Sequence, residues 1–280
     1  MGAGGVPVTM QSSRWLVAAA AASATVIAGG VALAAAPWPG LAKGVASGDV
    51  RYTASPGAGA TTVTASRVRD GKVLLSATFE GAYGIPAVTS NGLPGGLSPD
   101  GRLLVLVEPP TYQGLRARSR FLVLSTRSLA LERTVVLRGE FGFDALSPDG
   151  RTLYLIQRTS RSDLVSYVVR AYDLKARRLL ARVIVDKSQL AERMRGWPVA
   201  RATSTRGDWV YTLYDRGTPS PFVHALNAAG RTAFCVDLPQ TNHDVWRARL
   251  ELRAHDRRLV VRSGAGATIA TIDTTSLRVR

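Results

Sequence analysis

The sequence predicts an all-β chain of about five four-stranded repeats, and three observations predict it. The phrase Ser98-Pro99-Asp100-Gly101 returns 49 residues later as Ser147-Pro148-Asp149-Gly150. Each copy leads straight into an Arg and an apolar run, Arg102–Val107 and Arg151–Ile156. Weaker copies at Ser204-Thr205-Arg206-Gly207 and Ala254-His255-Asp256-Arg257 extend the series with steps of 57 and 50 residues. Such a period marks a solenoid, a propeller or an array.

The phrase has a physical task. Proline presets φ, Ser or Asp caps the turn, and glycine closes it without steric cost. A tight antiparallel hairpin is therefore expected between a strand ending at Leu97 or Leu146 and the strand after the glycine. Strands are then expected at 102–107, 121–125 and 134–138 in one unit, and at 152–157, 167–173 and 179–185 in the next. A third unit reads as strands at 209–214, 222–226 and 232–238. Val, Leu, Tyr and Thr dominate these runs, as half-buried strands require. Stepping back, 62–68 and 72–79 flank Asp70-Gly71 in a first unit, and 277–280 supplies a last strand. Gly84-Ile85-Pro86 and Gly196-Trp197-Pro198 echo each other where a new unit begins, the proline forcing an extended approach. Trp209 and Trp246 are expected to pack between units, and only 188–194 has a short helical reading.

Ser-Pro-Asp-Gly-Arg before a strand resembles the repeat of TolB-type and YVTN-type β-propellers, grouped with quinoprotein-like propellers. The likeness spans roughly residues 45–280 and implies a bacterial, exported propeller of about five four-stranded blades. It says little about activity, because this fold hosts enzymes, scaffolds and carriers.

Residues 16–36 carry no charged side chain and are mostly Ala and Val, with Arg14 before them and Pro37-Trp38-Pro39-Gly40 after. This reads as a signal peptide with a small-x-small motif at Ala32-Leu33-Ala34, or as an uncleaved membrane anchor, or as a core helix. The expected organisation is 1–36 as signal or anchor, 37–48 as linker and 49–280 as propeller. The first two readings place the β domain outside the cytoplasm. Cys235 is the single cysteine, so no internal disulfide can form, and it sits in a strand run.

The 36 basic and 20 acidic residues leave a formal charge of +16, and all but four of the basic residues are Arg. That excess favours anionic partners: lipid headgroups or cell-wall phosphate polymers outside the membrane, with a protein partner as the alternative and nucleic acid disfavoured. In a propeller, the loops between second and third strands and the linkers between blades share one face. That face would carry Arg116, Arg118, Arg120, Arg158, Arg161, Arg193, Arg195 and Arg216 as a basic funnel over the central channel; scattered solvated arginines are the ordinary alternative.

Signals for chemistry are sparse. His224, His243 and His255 lack metal-ligand spacing. Asn242-His243-Asp244 is the best local cluster, and His243 with Asp244 could join carboxylates of other blades around a metal, as in lactonase-like propellers; a capped loop is the ordinary reading. No nucleophile elbow or phosphate-binding glycine loop is present, and Gly264-Ala265-Gly266-Ala267 reads as a turn. The expected function is a binding or scaffold module without a cofactor, the alternative being a metal-dependent propeller hydrolase or lactonase. A quinone-cofactor dehydrogenase fragment stands third.

Overall fold

The computed structural model describes residues 1–2, 39–111, 114–163, 165–186 and 194–280. The N-terminal apolar segment, its small-x-small motif and Arg193 lie outside the described residues, as does all of the 188–194 helical reading except Met194. Met194 itself is in a short strand, Met194–Arg195, paired with Ser166–Tyr167.

Every described element is a strand or an isolated bridge, and the strands form five antiparallel blades. Blade one is Val45–Ser47, Val50–Gly57, Ala60–Arg67 and Val73–Glu80. It begins at Val45, inside the 37–48 segment, because Val45 pairs with Tyr52 across the Gly48-Asp49 turn. Blade two has an irregular inner segment, including Ile85–Pro86, followed by Leu103–Val107, Arg118–Ser125 and Leu131–Arg138. Blade three is Glu140–Leu146, Thr152–Arg158, Ser166–Asp173 and the short Arg178–Leu179. Blade four is Trp197–Thr203, Trp209–Asp215, Phe222–Asn227 and Thr232–Asp237. Blade five is Arg249–Arg253, Arg258–Arg262 and Thr268–Asp273, with Val279 bridging Ile272 as its fourth strand.

The repeated phrase builds the same turn twice. In blade three the Ser147 hydroxyl meets Asp149 Oδ1 at 2.5 Å and accepts the Thr152 N–H at 2.9 Å. Asp149 Oδ1 also takes the Arg151 N–H at 3.0 Å, and Gly150 supplies the left-handed φ of 66°. Ser98, Asp100 and Gly101 repeat this arrangement in blade two, where the Ser98 hydroxyl lies 2.6 Å from Asp100 Oδ1. The Ser and backbone contacts to Asp149 hold its carboxyl below the usual range. Replacing Asp149 with Ala is expected to cost about 1 kcal/mol, measured as a fall in the urea midpoint at constant slope. The decayed copies keep the turn by other means. Ser204 still binds the Trp209 N–H at 2.9 Å, whereas Ala254, His255 and Asp256 all adopt positive φ.

Alternation along the strands turns one face of each blade toward its neighbour. Four buried clusters result, each joining consecutive blades. Tyr52 and Val63 meet Leu104 and Leu122 between blades one and two. Val105 and Phe121 meet Phe143 and Leu155 between two and three. Tyr154 and Val169 meet Phe222 and Leu226 between three and four, and Leu213 and Val223 meet Leu259 and Ile272 between four and five. Trp209 packs at the last of these and stacks on Tyr211 at 6.0 Å. Trp246 departs from expectation: it is 41% exposed and leans on Trp197, with ring centroids 6.1 Å apart, at the surface of the linker between blades four and five. Cys235 is half-buried in its strand, its N–H donating to Asp186 Oδ2 at 2.7 Å.

Candidate functional site: a central cavity beneath an arginine-bearing face

Strand direction sends the ends of Leu103–Val107, Thr152–Arg158 and Trp209–Asp215 toward one face, where the linkers into blades three and four also begin. A cavity of about 60 Å³ opens there among blades two, three and four. At roughly 10–15 Å³ per water centre it has room for about four waters. Apolar walls come from Val88, Phe141, Phe143 and Ile156, and charged side chains from each of the three blades complete the lining.

Glu140, the first residue of blade three, is the hub. Its Oε2 accepts the Arg116 backbone N–H and Nε–H, both at 3.0 Å, and its Oε1 lies 3.9 Å from Arg158 Nη1. Glu108 takes Arg116 Nη1 at 3.2 Å and also receives the Arg120 N–H and Nη1–H. A second pair lies deeper: Arg201 donates through Nη2 to Asp144 Oδ1, through Nη1 to the Asp144 carbonyl, and through Nε to Thr212 Oγ1 at 3.1 Å. Asp144 is 3% exposed and its Oδ2 has no hydrogen-bond partner among the described residues. Burial pulls Arg158 down to about 9 against the opposing pull of Glu140, so it remains a cation at neutral pH. Burial likewise raises the phenols of Tyr167 and Tyr214, which stack at 5.4 Å beside the cavity. His224 lies under this region with its ring edge to Tyr214, and burial lowers its pKa to about 4.

Of the eight arginines expected to form a funnel, the seven among the described residues therefore divide. Arg116, half-buried, and Arg158, buried, meet at the cavity through Glu140, both matched by carboxylate. Arg120 is half-exposed on Glu108. Arg195 pairs with Asp163 at 3.0 Å. Arg216 pairs with Asp237 at 2.8 Å while lying 4.1 Å above the Phe222 ring. Arg118 and Arg161 are exposed, and among the described residues neither has an ion-pair partner; Arg118 sits opposite Arg138 in the strand register. His243 and Asp244 are exposed as well. The Asp244 carboxylate caps the Trp246 N–H at 2.9 Å, and no group of three metal-ligating side chains occurs among the described residues.

Sequence reading missed Glu108, Glu140, Asp144 and Arg201. Two signals were present: Glu108 and Glu140 flank strand ends on the arginine-bearing face, and Asp144 interrupts the apolar run Phe141–Leu146.

No protein-family model matches the chain, and no curated protein matches it by sequence. Solved structures do. One from a study of two prolyl endopeptidases aligns with a TM-score of 0.50 and 12% identity over 87% of this chain and 36% of that one. TolB from Acinetobacter baumannii aligns at 0.46 and 15% identity, covering 83% of this chain and 53% of its own. The β-propeller domain of Myceliophteria thermophila Cps50 (Swd1) aligns at 0.47 and 15% identity, covering 85% and 72%. At these identities the likeness concerns the fold alone.

Proposed function

We propose that this chain is an extracytoplasmic β-propeller binding module, contacting an anionic envelope component through the arginine-bearing face and performing no covalent chemistry. The apolar N-terminal segment supports the compartment. The observation that carries the partner class is the division of arginines on that face: those at the cavity are neutralised by carboxylates, whereas Arg118 and Arg161 stand exposed with no carboxylate partner among the described residues, and Arg118 faces Arg138. Like charges held opposite each other cost stability unless an anion joins them. Exposed cations of this kind bind phosphate polymers with a steep dependence on salt.

The test compares two charge-reversed proteins of equal net charge on phosphocellulose. One carries Arg118→Glu, Arg138→Glu and Arg161→Glu; the other carries Arg127→Glu, Arg151→Glu and Arg206→Glu on the opposite, turn-bearing face. The first is expected to elute at markedly lower salt than the second. Equal elution of the two would remove the arginine-bearing face as the contact surface.

A further inference from the structure

The central cavity presents a chemistry that the exposed arginines do not. We propose that it binds a small uncharged polyol, gripped through its hydroxyl groups by Asp144, and this site stands independently of the anionic contact. The charges decide the class of ligand. Arg116, Arg158 and Arg201 line the cavity with Glu108, Glu140 and Asp144, three cations against three carboxylates. An anion would meet guanidinium groups already engaged by carboxylates, with Asp144 repelling it. A cation would meet Asp144 only together with Arg201, which cancels it. No metal-ligating group of three occurs among the described residues.

What the cavity does offer is an acceptor. Asp144 is 3% exposed, its Oδ1 is held by Arg201, and its Oδ2 has no partner among the described residues. A buried carboxylate oxygen of this kind requires a donor, and a neutral hydroxyl supplies one without importing charge. The walls suit the rest of such a molecule. Phe141, Phe143 and Tyr167 present ring surface to carbon-bound hydrogens, and about 60 Å³ suits a chain of three or four hydroxylated carbons better than a whole sugar ring. A buried water cluster is the rival occupant, since water also donates to Asp144.

Saturation-transfer NMR on the full chain, with glycerol and erythritol as probes, separates the two. The expected result is a saturable transfer to the carbon-bound protons of at least one probe. Asp144→Asn preserves shape and can present a donor where the carboxylate only accepts, so it should weaken that binding at least tenfold. Phe141→Leu removes ring surface from the same lining without touching a charge and should weaken it severalfold, which keeps the proposal testable if Asp144→Asn does not fold. Absence of saturable transfer from both probes to the wild type would mean the cavity holds water only. Undiminished transfer in both folded variants would place the binding elsewhere and equally overturn the assignment.

Discussion

Lowering the pH from 6.5 to 4 is expected to remove about 3 kcal/mol of folding stability through His224 alone. The ring is fully buried in Phe222–Asn227, and both nitrogens lack hydrogen-bond partners among the described residues. Burial is the largest influence on it. Asp144 and Asp186 favour the imidazolium, and Arg201 opposes it. The folded ring thus stays neutral down to about pH 4, whereas the unfolded ring takes up a proton near 6.5. Below 6.5 the unfolded state binds more protons, so stability falls with pH and this contribution levels off once the folded ring also titrates. His224→Phe retains an aromatic ring against Tyr214 and removes the titration. Urea midpoints measured from pH 7 to 4 should fall more steeply for the wild type than for the variant; parallel curves would show that the imidazole is solvated in the folded state.

A loss of similar size is expected from Arg201→Met, which leaves the Asp144 carboxylate buried without its cation. Removing one member of a buried ion pair costs about 3–5 kcal/mol, and for a chain of this length that corresponds to a melting temperature lower by roughly 10 °C. The double variant Asp144→Leu with Arg201→Met should recover much of the loss, because two apolar side chains leave no unmatched charge behind. Thermal melts of the single and double variants, at matched pH and salt, provide the comparison. Additive losses in the double variant would mean that the two side chains act separately rather than as a pair.

The blades were legible because their information is local. Ser147, Asp149 and Gly150 lie within four residues of one another and fix their turn through contacts among themselves. Strand alternation carries the rest, as in Thr61-Thr62-Val63-Thr64-Ala65-Ser66, where Val63 and Ala65 face the core between blades one and two. The cavity was legible only in part. The rule that second-strand ends share a face located Arg116 and Arg158, but not their burial, which depends on Glu140 arriving from the next blade. Asp144 and Arg201 lie 57 residues apart and meet because two inner strands converge, a fact of tertiary packing that no spacing in the chain encodes. Trp246 was misplaced for a related reason: a large aromatic ring in a linker can cover a neighbouring tryptophan at the surface as readily as enter a core.

The four apolar clusters have a consequence for how the blades hold one another. Among the described residues four such seams join the five blades in succession, and the faces that blades one and five turn away from these seams are polar. Blade one turns Thr53, Thr62, Thr64, Ser66, Ser76 and Thr78 away from its seam, with Thr62 and Thr78 hydroxyls 3.5 Å apart. Blade five bears Arg249, Glu251, Arg253, Arg258 and Arg262, drawn together where Glu251 accepts from both Arg253 and Arg262. In proteins built of stacked repeats, stability is approximately a sum of terms within each unit and terms between neighbouring units. By that logic the stability of each interior blade is owed to the two neighbours it touches, through the seams on either side of it.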